Sequence, residues 1–167
     1  MGFHDRGLYF EEFQVGQVFE TRGRTLTESD IQTFAGLTGD YNPLHTDTEF
    51  ATASRWGGRI VHGLCGLSIA TGLFSRLGVL EGTTEAFLSV ETHFYDVMRI
   101  GDTIRVVTRV TRKRALPGQN AGVVAFEALT YNQHDRLVQR GTWAAIVCTS
   151  AAGDRSAAPA TEDSVAL

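Results

Sequence analysis

The feature that most constrains the fold is a change of hydrophobic period in the middle of the chain. From about Val61 to Leu77 the sequence is apolar on nearly every side and carries Gly63, Gly66, Ala70 and Gly72. That pattern predicts a helix enclosed by other elements, with small residues where backbones approach closely. Beyond it the period drops to two. Leu88, Val90, Thr92 and Phe94 alternate with Ser89, Glu91 and His93, and Ile104, Val106, Thr108 and Val110 alternate with Arg105, Val107 and Arg109. Val124, Phe126 and Ala128 then alternate with Ala125 and Glu127, and Leu137 to Val147 supplies a fourth strand. Gly101-Asp102, Pro117-Gly118 and Asn132-Gln133-His134-Asp135 punctuate the run as turns, so an antiparallel meander is expected. A long apolar helix and a two-faced sheet are both satisfied if the sheet curves around the helix, an α+β domain.

Ahead of the apolar helix, Thr27-Glu28-Ser29-Asp30 resembles a capping box, and Ile31, Phe34, Ala35 and Thr38 follow at helical spacing before Gly39. A short helix over 28–38 is predicted. Gly39-Asp40-Tyr41-Asn42-Pro43 has turn chemistry, and Thr46 or Asp47 can cap a further short helix through Ala53. The segment from Asp40 to His45 therefore falls on a loop between helices.

Composition limits the alternatives. A chain of 167 residues with 43% hydrophobic content has room for one core, placed here at residues 1–150. Residues 151–167 are dominated by Ala, Ser, Asp, Thr and Pro and read as a disordered tail. A formal charge of -4 lacks the basic face of a nucleic-acid binder. No membrane-spanning run is seen, since Ile60 to Leu80 contains His62, Ser68, Ser75 and Arg76. A soluble cytoplasmic protein is expected, with Cys65 and Cys148 reduced.

The densest polar cluster is Asp40-Tyr41-Asn42-Pro43-Leu44-His45, with His62-Gly63 following where the apolar helix begins. A carboxylate and an imidazole five residues apart on a stiff turn can hold one water between them, with Asn42 orienting loop or water and Pro43 limiting conformations. The plainer alternative is that Asp40 closes an Asx-turn and His45 bonds nearby backbone. A backbone N–H at Gly63 would combine an unpaired donor with the positive end of a helix dipole, a place for developing negative charge.

These residues carry a resemblance to the MaoC-like, (R)-specific enoyl-CoA hydratase family, whose signature is Asp, any residue, Asn-Pro, an aliphatic residue and His. Asp40-Tyr41-Asn42-Pro43-Leu44-His45 matches every position. The likeness extends to Tyr9–Gly16, to Gly58-Arg59-Ile60-Val61-His62-Gly63 and to Val97–Thr103, spanning roughly residues 8 to 149. It implies the hot-dog fold and hydration of a trans-2-enoyl-CoA to an (R)-3-hydroxyacyl-CoA. It also implies Asp40 and His45 as acid/base pair, Asn42 beside them, Gly63 as oxyanion donor, and Ser68, His62 and Arg59 toward substrate. The coenzyme A thioester would be substrate, with no separate cofactor, and the protein a homodimer or an assembly of dimers. An edge-exposing sheet points the same way.

Other chemistries have less support. His62, His93 and His134 show no metal-ligand spacing, so no metal is expected. Arg55, Arg59, Arg99, Arg112, Lys113 and Arg114 are candidates for coenzyme A phosphates, none singled out, and no glycine pattern fits a dinucleotide or ATP loop. A hot-dog acyl-CoA thioesterase and a non-catalytic acyl-CoA-binding module are the competing functions.

Overall fold

The computed structural model describes residues 6–153. After a 3₁₀ turn at Phe10–Glu12 come strands β1 (Val18–Glu20) and β2 (Arg24–Thr25) and helices α1 (Glu28–Thr38), α2 (Pro43–Thr46), α3 (Thr48–Ala53) and α4 (Gly63–Ser75). Strands β3 (Thr84–Phe94), β4 (Thr103–Leu116), β5 (Ala121–Tyr131) and β6 (Leu137–Cys148) follow, with a helical turn α5 (Ser150–Gly153).

Local chemistry accounts for the helix ends. Asp30 Oδ2 accepts from the Thr27 backbone N–H at 2.8 Å and from its hydroxyl at 2.8 Å, which closes the start of α1. At the other end Gly39 turns left-handed with φ 76° and its N–H bonds Ala35 O. Asp47 Oδ1 caps α3 through the Phe50 N–H at 3.0 Å. The predicted bounds of α1 and the end of α3 stand as read.

The central helix is shorter than predicted. Val61 and His62 are extended rather than helical: the Val61 N–H donates to Met98 O at 2.8 Å, and His62 has ψ 131°. The Gly78 φ of 72° stops continuation beyond Leu77. Nor is α4 enclosed on every side. Cys65, Gly66, Ala70, Leu73 and Phe74 are buried, whereas Leu64, Ser68, Gly72 and Ser75 are exposed. The sheet covers one face of α4, and the core forms there from Phe13, Phe74, Phe126 and Trp143, with Phe74 packed edge-on against Phe126 at 5.3 Å.

The sheet order is β1-β4-β5-β6-β3, with the two-residue β2 also on β4. All pairings are antiparallel, and β4, β5 and β6 form the meander read from sequence. The expected place of β3 beside β4 is corrected: β3 pairs with β6 instead. The reason lies in the connection after β3. Its Met98 O takes the Val61 N–H and its Gly101 N–H donates to Leu26 O, so residues 95–102 cross the entry to α4 instead of making a tight hairpin. Gly141 allows the β6–β3 approach, because a Cβ there would stand 2.0 Å from Glu91 O. The result is one domain with a curved antiparallel sheet wrapped around α4, as expected of the hot-dog fold.

The domain limit drawn at residue 150 falls inside a helical turn, since α5 runs over Ser150–Gly153; the rest of the tail predicted at 151–167 lies outside the described residues. No helix of the described chain is long and apolar enough to cross a membrane.

Candidate active site

The loop between α1 and α2 is built from its own side chains. Asp40 Oδ1 accepts from the Asn42 N–H at 3.2 Å, and Asn42 Oδ1 accepts from the Leu44 N–H at 3.0 Å, which caps α2 with Pro43 at its first position. His45 follows on α2, and its Nδ1 lies 2.8 Å from Ile60 O. A carbonyl only accepts, so Nδ1 carries the proton and Nε2 keeps a lone pair. The plainer reading of these residues is thus also true: Asp40 closes an Asx-turn and His45 bonds backbone. Each does so with one polar atom and leaves the other available.

His62, expected to face substrate, is buried at 1% exposure. Its Nε2 donates to Asp40 O at 2.9 Å, and its ring stacks on that of His45 with centroids 3.8 Å apart and planes tilted by 30°. One carboxylate oxygen of Asp40 and one nitrogen from each imidazole lie within 4.8 Å of one another. A separation of that size is one that a single water can span between the carboxylate and one imidazole, at about 2.8 Å from each.

Asp40, His45 and His62 also have the donor count of a three-ligand metal centre. No spacing in the sequence marked this grouping, because loop and helix start meet only in the fold. The stack works against a shared ion. Imidazole lone pairs lie in the ring plane, and two rings this close and this nearly parallel direct theirs side by side rather than to one point. His45 Nδ1 and His62 Nε2 each donate to a carbonyl, which leaves one lone pair on each ring.

Gly63 opens α4 directly after His62, so its N–H precedes the helical ladder and lies at the positive end of the dipole. It shares a cavity of about 320 Å³ with His45, Leu64, Phe94, Val97 and Met98. Two of its supports carried no signal in the sequence. Gln139, 2% exposed on β6, donates from Nε2 to Gly63 O at 2.8 Å. Phe94, at the end of β3, packs its ring against Gly63, since a Cβ there would lie 2.8 Å from its Cε1 and would have to displace the ring.

Two residues expected toward substrate, Arg59 and Ser68, make hydrogen bonds within the protein. Arg59 makes a two-pronged ion pair with Glu28, with Nη1 2.9 Å from Oε1 and Nη2 against Oε2. The pair holds the Glu28 carboxyl below its ordinary range and joins the strand-like entry of α4 to the first turn of α1. Ser68 donates to Leu64 O at 2.9 Å on its own helix. It lines a second cavity of about 440 Å³ between α1 and α4, with Phe34, Leu37, Cys65, Ile69 and Leu73. Burial pushes the Cys65 thiol up, which keeps it a small apolar wall group. Phe34 borders this cavity and packs on His62, ring centroids 5.1 Å apart.

Fold and site together define a hot-dog domain with a carboxylate–imidazole pair at the N-terminus of its central helix. The family described as MaoC like domain matches residues 12–132. The chain belongs to that family of MaoC-like dehydratase domains. It is 42% identical over 111 residues to the protein MaoC of Klebsiella aerogenes, covering 66% of this chain but 32% of that one. It is 38% identical over 107 residues to a 3-hydroxybutyryl-CoA dehydratase of Methylorubrum extorquens, covering 63% and 65% of the two chains. With an (R)-specific enoyl-CoA hydratase of Rhodospirillum rubrum it shares 35% identity over 105 residues, 62% of this chain and 69% of the other. The chain thus spans about a third of the first of these relatives and about two thirds of the others. Among solved structures, a monoamine oxidase regulatory protein from Archaeoglobus superposes with a TM-score of 0.81 at 35% identity, over 87% of this chain and 97% of that one. A double hot-dog protein of Mycobacterium tuberculosis gives 0.78 at 24% identity, over 95% and 53%, which supports the fold alone.

Proposed function

We propose that this chain is a hydro-lyase that adds water to a trans-2-enoyl-CoA to give an (R)-3-hydroxyacyl-CoA, and catalyses the reverse dehydration. The observation that carries the reading is the pairing of the Asp40 carboxylate with the His45 imidazole, on a turn locked by its own hydrogen bonds and next to the first N–H of α4. Hydration needs a water over C3, a base for its proton, an acid for C2 and a donor to the thioester oxygen as it gains charge. Asp40 and His45 would hold the water and share the two proton transfers as a coupled pair. Gly63 N–H would take the oxygen, and Asn42 keeps the turn in shape. The names of the Methylorubrum and Rhodospirillum relatives support this substrate class.

In this reading the acyl chain would occupy the larger cavity beside Ser68, and the chain acts in the cytoplasm with no cofactor beyond its thioester substrate. It works as a homodimer or an assembly of dimers. Strand β3 is a sheet edge, and Phe87, Leu88, Val90 and Phe94 on it are all exposed, a surface that pairing with a second copy would cover. Against a thioesterase stands the intact Asp40–Asn42–His45 group, since thioester hydrolysis calls only for water directed to the carbonyl. Against a non-catalytic module stands the free lone pair left on His45 Nε2.

The deciding experiment is hydration of crotonyl-CoA in deuterated water, followed as loss of enoyl absorbance. Product configuration is read with an (S)-specific dehydrogenase and the C2 position by NMR. The expected outcome is (R) product with the hydroxyl and deuterium on one face. Release of free coenzyme A without 3-hydroxy product would favour the thioesterase.

A further inference from the structure

On the hydratase reading above, we infer that His62 is a positioning residue that fixes both members of the acid/base pair, rather than a contact to substrate. Three observations meet on this one ring. First, its Nε2–H reaches Asp40 O at 2.9 Å. Among the described residues, every other hydrogen bond of residues 40–42 stays inside 38–46. The loop that presents the carboxylate is therefore tied to the start of α4 by this bond. Second, the His62 ring lies against the ring of His45 at 3.8 Å. With Nδ1 of His45 held by Ile60 O, the imidazole is then restrained at one edge and over one face, and Nε2 keeps a single direction. Third, His62 immediately precedes Gly63, so the same residue sets where α4 and its first N–H begin.

The chemistry of the ring supports a role beyond packing. Nε2 is the donor, so Nδ1 is a bare lone pair, and it is buried without a partner among the described residues. A phenylalanine would fill the same space without that unpaired acceptor, and buried polar atoms left unpaired cost stability. What a phenylalanine lacks is the donor to Asp40 O. Reacting groups misplaced by an ångström lose on the order of a hundredfold in rate, which is the scale on which such a tether acts.

The test compares H62F, which keeps a ring against His45 and loses the donor, with H62Q, whose side-chain amide can donate near the position of Nε2. With crotonyl-CoA as substrate, H62F is expected to lose about ten- to a hundredfold in kcat with KM changed less than about threefold, and H62Q to regain at least about fivefold over H62F. A kcat for H62F equal to wild type, a loss confined to KM, or H62Q no better than H62F would overturn the positioning role. Nitrogen-15 NMR of the wild-type histidines gives a readout that needs no turnover. Protons on His62 Nε2 and His45 Nδ1 are expected, and a His62 protonated on Nδ1 alone would refute the tether. Wild-type protein that fails to hydrate crotonyl-CoA sinks the hydratase reading itself, and the NMR still decides whether the tether exists.

Discussion

Nδ1 of His45 is bound to the carbonyl of Ile60 at 2.8 Å, across the gap between α2 and the entry to α4. That contact selects the tautomer and leaves Nε2 as the one ring atom able to accept a proton or hold water. His45→Ala and Asp40→Asn are each expected to lower kcat for hydration by at least about a hundredfold, the usual scale for a positioned acid or base. Because both would act on one water, the double variant should be far less than multiplicatively worse. Steady-state kinetics with crotonyl-CoA, checked by circular dichroism for intact folding, decide this; near-normal turnover in either single variant removes that residue from the chemistry.

Gly141 offers a test of how the β3 edge is held. A methyl group there would meet Glu91 O at 2.0 Å and Thr92 Oγ1 at 2.8 Å, and the first of these is backbone that cannot swing aside. Gly141→Ala should destabilise the fold by about 1–3 kcal/mol, the cost of overpacking a tight site. Urea unfolding would show it as a lower midpoint, and an unchanged midpoint would mean that β3 and β6 are not packed this closely.

Acid sensitivity should trace in part to Asp30. Burial on its own raises this carboxyl, but hydrogen bonds from the Thr27 amide and hydroxyl and the Arg24 guanidinium outweigh it and hold the group below its ordinary value. A depressed folded-state pKa contributes stability that is present above the unfolded value, about 3.9, and is lost as pH falls through the folded value. Asp30→Asn should therefore be less stable than wild type at neutral pH, with the difference shrinking below about pH 4. Melting temperatures measured from pH 3 to 7 that run parallel for the two proteins would contradict this.

Association should depend on the exposed strand. At about 10 μM, at or above the micromolar-to-picomolar Kd range of standard-sized interfaces, sedimentation velocity should show dimers or larger species. Phe87→Asp and Val90→Asp, which place charge on exposed apolar positions of β3, should move the distribution toward monomer. Wild-type protein that sediments only as monomer would remove the proposed assembly.

The local elements were legible in the sequence because their signals are local. Thr27 and Asp30 close a cap three residues wide, Gly39 supplies the left-handed stop, Asp47 caps α3, and alternation over 104–110 reports a two-faced strand directly, whereas β5 is buried on both faces from Ala121 to Phe126 despite the alternation read there. The polar loop from Asp40 to His45 could be singled out for the same reason: its turn, its Asx bond and its helix cap are all contained within a few residues. Tertiary structure alone decided the rest. The place of β3 beside β6 depends on where residues 95–102 find backbone partners, in Val61 and Leu26, far away in sequence. His62 reads as a helix residue near substrate until the fold brings Asp40 O and the His45 ring against it, and Arg59 reads as a free cation until Glu28, 31 residues earlier, meets it. Pattern along a chain records which face of an element is apolar; it does not record which distant polar atom will satisfy a buried one, because that pairing exists only once the elements have packed.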